Sequence, residues 1–198
     1  MKKVKILIAT TVVLISTMGL NGCAILQNDL KEFKSAMKGH EAIIQTYDEE
    51  SQIIDQIEGK SVHVSSDYDF DTEKTNSSVI NVTVGGHEMT HVGSSLIMYE
   101  KGLENHFETF AKNVDVKNFN RSVPFLNEMV NSWNNNITGR SRVILVRSQS
   151  GKPLATFAGD KVSYFSTDID KSTGLLIDGK YLFIYKCDYT IYDTELLQ

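Results

Sequence analysis

The sequence is poor in cysteine, in positive charge and in linker-like segments, and each shortage excludes a class of structure. It has two cysteines in 198 residues, so if the first is modified the second has no partner for an intrachain disulfide. Residues 40–198 contain no proline- or serine-rich linker and no clean internal repeat. We therefore expect a single domain that relies on its hydrophobic core.

Positive charge is scarce beyond the first 22 residues. Those residues hold three of the 20 basic side chains and none of the 25 acidic ones, so the remainder carries 17 basic and 25 acidic residues, a net charge of −8. A chain this acidic does not bind nucleic acid or an anionic lipid surface through bulk charge. We expect no nucleic-acid partner.

The N-terminus has the pattern of a signal peptide that ends at a cysteine. Three lysines precede an apolar run from Ile6 to Leu20, and Asn21, Gly22 and Cys23 follow. The run of 15 residues is shorter than the ~20 that span a bilayer. The order resembles a bacterial lipobox, in which a diacylglycerol is joined to the cysteine thiol and cleavage leaves that cysteine first. An ordinary secretory signal cut near the same place is the alternative.

This pattern predicts where the protein resides. Residues 1–22 are expected to be the signal peptide, and Cys23 is expected to carry a covalent diacylglycerol or acyl lipid such as palmitate. The expected location is the outer face of the cell membrane, with the lipid supplying membrane affinity. Residues 23–39 are expected to be a tether with a short helix over about 27–38, because apolar residues recur there at helical spacing. Whether residues 24–38 pack on the domain stays open.

From residue 40 onward the hydrophobic period is two, as in β-strands. Val62, Val64, Tyr68 and Phe70 take even positions between polar residues, which predicts a strand over 62–70 with these four side chains buried. Two dipeptides of the kinds found in tight turns, Gly85-Gly86 and Asp178-Gly179, predict hairpins.

One internal helix is predicted over about 122–134, where a serine N-cap precedes an apolar stripe that ends in Trp133. Residues 103–119 fit neither period. We predict a mainly β (α+β) domain over residues 40–198: an antiparallel sandwich or barrel with one packed helix.

The most prominent motif is H-E-M-T-H at His87–His91, a match to H-E-x-x-H. In zinc hydrolases this motif lies on a helix, which brings both histidines to one face. Here it follows a glycine pair and an alternating strand, so the return strand of a hairpin is favoured. Hairpin pairing would place His87 opposite Val84 and His91 opposite Ile80. The zinc hydrolase remains the alternative, and it requires a helix over 86–92.

Three weaker signals carry no site. The segment from Asp67 to Thr72 starts like a calcium loop, but threonine stands where that loop requires glycine. Neither a G-x-S-x-G elbow nor a glycine-rich phosphate loop is present. Cys187 lies in an apolar strand-like run, which is typical of an inert buried thiol. We therefore predict no catalytic, cofactor-binding or metal-binding residue.

Three segments, Val92–Leu103, Val146–Pro153 and Ile177–Asp193, resemble blocks of a family of small Gram-positive bacterial lipoproteins that carry a domain of unknown function. The resemblance implies a surface lipoprotein and brings no known activity, so no functional residue follows from it. The leading hypothesis is a non-enzymatic lipoprotein whose β-rich domain binds a protein or another envelope component. A lipoprotein inhibitor or exclusion factor is a further possibility.

Overall fold

The computed structural model describes residues 37–70, 78–111 and 141–197. The predicted signal peptide (1–22), Cys23 and the predicted helix over 122–134 lie outside these ranges. So does the predicted tether helix over 27–38, apart from its last two residues, which belong to a turn over 37–39.

The described part is built from twelve strands, one α-helix and two short 3₁₀ helices. The 3₁₀ helices are Tyr68–Phe70 and Thr194–Leu197, and the α-helix, α1, is His106–Ala111. The strands are β1 (Glu41–Tyr47), β2 (Ile53–Lys60), β3 (Val62–Ser66), β4 (Val79–Val84), β5 (His87–Val92), β6 (Ser95–Glu100), β7 (Arg142–Arg147), β8 (Pro153–Gly159), β9 (Val162–Ser166), β10 (Ser172–Ile177), β11 (Lys180–Tyr185) and β12 (Asp188–Asp193). None of the helices in the described ranges has the length and apolar character needed to cross a bilayer.

The strands form three open sheets. The large sheet has the order β2-β1-β6-β11-β10-β9, and the small sheets are β12-β7-β8 and β3-β4-β5. Every strand pairing is antiparallel. The prediction of a mainly β, antiparallel fold is confirmed, and of the predicted sandwich or barrel the described ranges form a sandwich with little helix.

The two central strands of the large sheet, β6 and β11, are buried on both faces. In β6, Leu96 and Met98 belong to one hydrophobic cluster, while Ile97 and Tyr99 belong to another. Because successive side chains of a strand point to opposite faces, the two clusters lie on opposite sides of the sheet. The first cluster includes residues of β3 and β4, and the second includes residues of β7 and β8. The large sheet is therefore the middle layer of three.

The chain leaves the large sheet for a small one at two sharp corners. Ser61 lies between β2 and β3 with φ of 56°, and Lys186 lies between β11 and β12 with φ of 50°. A left-handed residue turns the strand direction within one position, which carries the chain from one layer to the next. At the first corner, the Gly39 amide donates to Ser61 Oγ at 3.0 Å and the Ser61 amide to the His40 carbonyl at 3.1 Å. The chain thus enters the domain beside the start of β3.

The two hairpins predicted from turn motifs agree with the structure, whereas a strand predicted from alternation does not. The registers pair Val84 with His87 and Ile177 with Lys180, so both predicted hairpins are confirmed. The predicted strand over 62–70 is wrong in its second half, since β3 ends at Ser66 and a 3₁₀ helix follows. The ambiguous stretch 103–119 contains α1 in its described part.

Candidate functional site

The H-E-x-x-H match lies on strand β5, the outer strand of the β3-β4-β5 sheet. The register pairs His87 with Val84 and His91 with Ile80, as the hairpin interpretation predicts. Four residues along a strand separate the two histidines by about 13 Å, whereas one zinc ion needs both imidazole nitrogens at about 2 Å. Glu88 lies on the opposite face of the strand from both. The helical zinc geometry is not formed.

The His91 ring is already engaged. Its Nε2 lies 2.9 Å from the Ser94 carbonyl oxygen, and the ring meets that of Tyr185 edge-on at 6.1 Å. Tyr185 in turn donates its hydroxyl to the Ser78 carbonyl at 2.6 Å. These contacts join β5 to the large sheet. Within 37–70, 78–111 and 141–197, no group of three or more His, Cys, Asp or Glu side chains is arranged to hold a metal ion.

The aspartate-rich segment after β3 forms a tight turn, which we call the Asp67 turn (residues 67–70). The Asp67 carboxylate accepts the Asp69 amide at 3.2 Å through Oδ1 and the Asn81 amide group at 3.1 Å through Oδ2. The Asp67 amide donates to the Val79 carbonyl at 2.9 Å. The first aspartate of the segment therefore holds the turn against β4.

The Asp67 turn exposes two aromatic rings. Tyr68 is 64% and Phe70 is 61% exposed, where the even-position pattern predicted both to be buried. The prediction is wrong because the strand stops at Ser66, so the two-residue period no longer sets where these side chains point. On the other side of β4, Val92 is 62% exposed. Val79 on β4 lies between the Asp67 turn and Val92: its carbonyl accepts the Asp67 amide, and its register partner on β5 is Val92.

A second polar cluster surrounds Glu108 on helix α1; we call it the Glu108 network. The Glu108 carboxylate accepts the side-chain amides of Gln45 at 2.6 Å and Asn105 at 3.2 Å, and the Tyr99 hydroxyl also bonds to it. Tyr47 donates its hydroxyl to Gln45 Oε1 at 2.7 Å. The network thus joins α1 to β1 and β6. Because its polar groups bond to one another, we assign it a structural role.

The side-chain oxygen of Asn105 accepts two backbone hydrogen bonds. Its Oδ1 accepts the amide of Phe107, as an N-cap does, and also the amide of Thr156 on β8. Thr156 is fully buried on an outer strand of its sheet. Asn105 therefore both starts α1 and satisfies a backbone group at the edge of β8. The signal for this site was in the sequence, because Asn105-x-x-Glu108 has the spacing of a capping box.

Burial keeps the two tyrosines of the Glu108 network protonated. Burial is the main cause that raises the pKa of Tyr47, and the negative charge of Glu108 raises it further. The pKa of Tyr99 is raised by burial first, then by the charge of Glu108 and the hydrogen bond to it. Neither phenol is available as a base or nucleophile near neutral pH.

We expect the free energy of unfolding to fall as the pH rises above about 10. The raised pKa values keep Tyr47 and Tyr99 protonated in the folded state while they ionise in the unfolded chain, so the unfolded state is favoured by up to about 1.4 kcal/mol per pH unit for each phenol. Urea titrations across the alkaline range measure this slope. Tyr47→Phe should make this decline less steep, by up to about 1.4 kcal/mol per pH unit. Tyr164→Phe is the control for loss of an exposed hydroxyl. An unchanged slope in Tyr47→Phe contradicts the assignment.

Cys187, which the sequence predicts to be buried, is partly buried against the second hydrophobic cluster. Its Sγ lies 3.2 Å from the Tyr185 carbonyl oxygen and 3.9 Å from that of Leu96. Burial raises the pKa of this thiol from 9.0 to about 12. Since the thiolate is the reactive form, Cys187 is expected to be unreactive at neutral pH.

The tyrosines near the C-terminus divide between core and partly exposed positions. Tyr181 and Tyr185 are buried in the first hydrophobic cluster. Tyr189 is half-buried against the second cluster, and the half-buried Tyr192 accepts a hydrogen bond from Arg147 at 2.9 Å. Packing against the two hydrophobic clusters therefore accounts for Tyr181, Tyr185 and Tyr189.

Comparison with known proteins gives one match. A family model described as a domain of unknown function (DUF5052) matches residues 2–197, nearly the whole chain. No curated protein and no solved structure matches. The expectation that the chain belongs to a family with a domain of unknown function is confirmed, and the match assigns no residue a role.

Proposed function

The chain belongs to the DUF5052 family, whose domain has no known function, and we propose a role from the residues of this chain. We propose that it is a lipoprotein anchored on the outer face of a Gram-positive cell membrane. In this proposal the β-rich domain is a non-enzymatic binding module for a protein or another envelope component. The lipid on Cys23 holds the domain at the membrane, and residues 23–39 connect the two.

The sequence from Lys2 to Cys23 supports the anchoring half of the proposal. A basic start, an apolar run of 15 residues, a small residue and then a cysteine are the features that lipid attachment requires. Each buried methylene of an acyl chain adds about 0.8 kcal/mol, so two or three chains hold a protein at the membrane without a basic patch. The acidic balance of the remaining chain is compatible with this, because the lipid supplies the affinity.

The exposed rings of Tyr68 and Phe70 support the binding half. Large apolar side chains that stay exposed close together on a folded domain are typical of contact surfaces. The buried polar side chains of the Glu108 network, by contrast, are paired with one another. The strand geometry at His87–His91 argues against the alternative of a zinc hydrolase, which requires a helix at that position.

Metabolic labelling tests the anchor. We expect a palmitate analogue to label the wild-type protein, which should be found in the membrane fraction, whereas Cys23→Ala should lose the label. Cys187→Ala is the matched control, since it removes the other thiol and should keep the label. Label that survives in Cys23→Ala would refute lipid attachment at this residue.

A further inference from the structure

The Asp67 turn places two aromatic rings in solvent at one end of the β3-β4-β5 sheet. Both rings are more than three-fifths exposed, and Val92, on the neighbouring side of β4, is exposed to a similar extent. Hydrogen bonds from Asp67 to Asp69, Asn81 and Val79 hold the backbone of the turn. A partner that binds these rings meets a preformed surface, so little ordering entropy opposes binding.

The two charged residues of the Asp67 turn are both acidic. Asp67 and Asp69 flank Tyr68, and the Asp69 side chain is exposed. Strands β3, β4 and β5 and the Asp67 turn contain no lysine or arginine. The chain as a whole also has an excess of acidic residues. A cation close to the turn is therefore attracted both by the carboxylates and by the faces of the rings.

The Asp67 turn lies at the opposite end of β3 from the point where the chain enters the domain, so a partner can bind the turn without contacting that point. Gly39 and His40 bond to Ser61 at the start of β3. The Asp67 turn follows the other end of β3, about 16 Å away for a strand of five residues. An anionic membrane surface would repel the carboxylates at the turn, so the charge pattern favours a protein over lipid.

We propose that the Asp67 turn is a docking surface for a basic protein segment, in which lysine or arginine side chains lie over Tyr68 and Phe70 and pair with Asp69. The proposal rests on the proposed function, since it gives the binding module a surface and a class of partner. Asp69 is the carboxylate assigned to the partner because Asp67 uses both of its oxygens within the domain.

The test is the binding of a fluorescein-labelled oligolysine peptide to the full chain purified in non-ionic detergent, followed by fluorescence anisotropy at low salt. We expect the double variant Tyr68→Ser/Phe70→Ser to weaken binding roughly tenfold or more, and Asp69→Asn to weaken it severalfold. The matched controls are Tyr164→Ser, which removes a ring that is 67% exposed on β9, and Glu49→Gln, which removes an exposed carboxylate. Both controls should bind like the wild type.

Three outcomes overturn the proposal. The first is an absence of oligolysine binding by the wild-type chain. The second is equal binding by the wild type, the Asp67-turn variants and the controls, which would mean attraction by overall charge. The third is binding of the unlipidated Cys23→Ala chain to phosphatidylglycerol vesicles, if adding Tyr68→Ser/Phe70→Ser abolishes that binding. This result would assign the rings to lipid. None of them alters the palmitate labelling of Cys23, so failure of this surface is distinguishable from failure of the anchor.

Discussion

Replacing Gly174 by alanine is expected to destabilise the domain by about 3 kcal/mol, the upper part of the range for overpacking a core. Gly174 lies on β10 between Phe165 of β9 and Phe183 of β11. A Cβ at this position would lie far inside van der Waals contact with the Phe165 ring. Phe165 is buried in the first hydrophobic cluster, so its ring cannot move aside without disturbing its neighbours.

Urea denaturation of the wild type and Gly174→Ala measures this effect. A second substitution, Phe165→Leu, removes the ring and should restore part of the lost stability in the Gly174→Ala background, a coupling that the double-mutant cycle reveals. Thr173→Ala, on the same strand, is the control for an alanine in β10, with an expected change of about 1 kcal/mol or less. If Gly174→Ala unfolds at the wild-type urea concentration, the ring does not cover the glycine as the structure has it.

Replacing Glu108 by alanine should cost a similar amount, about 3 kcal/mol, for a different reason. The substitution removes the acceptor for the side chains of Gln45, Asn105 and Tyr99, all three of which are buried. Each buried N–H or O–H left without an acceptor costs about 1–3 kcal/mol, offset in part by the hydrogen bond that the Gln45 amide keeps to Gln56 Oε1 at 2.9 Å and by water that enters the vacated space. Helix α1 should lose its attachment to β1 and β6 first.

Two variants separate this effect from a general loss of charge on the helix. Glu108→Gln keeps an acceptor oxygen and is expected to lose less than half as much stability as Glu108→Ala. Glu104→Ala removes an exposed carboxylate whose partner, His106 Nδ1, is 3.5 Å away, and surface pairs of this kind contribute about 0–1 kcal/mol. Equal losses in Glu104→Ala and Glu108→Ala, measured by urea denaturation, would contradict the proposed role of the Glu108 network.

The sequence was informative wherever a few neighbouring residues decide the structure. Gly85-Gly86 and Asp178-Gly179 both adopt the positive φ that tight hairpins need, so the pairing of β4 with β5 and of β10 with β11 followed from local chemistry. The hairpin in turn placed His87 and His91 on a strand. A strand then ruled out the helical zinc motif by geometry alone.

Sequence reasoning failed at the Asp67 turn because alternation is informative only while a strand continues. Val62 and Val64 are buried as predicted, but Tyr68 and Phe70 are exposed. The Asp67 side chain ends the regular pattern by bonding to the backbone two residues on, a known tendency of aspartate in turns. The same tendency marks Asn105 as the start of α1, a signal that hydrophobic periodicity did not detect in residues 103–119.

By itself the sequence determined the β-rich class of the fold and the two hairpins, whereas the membrane location and an unreactive Cys187 stay predictions. Only the tertiary structure decided that β6 and β11 are covered on both faces, that the Glu108 network joins α1 to the large sheet, and that Tyr68 and Phe70 remain exposed. The physical reason is the range of the interactions. Turn conformation depends on adjacent residues, whereas burial of a strand face depends on which distant segment packs against it, and the period of a strand does not encode that.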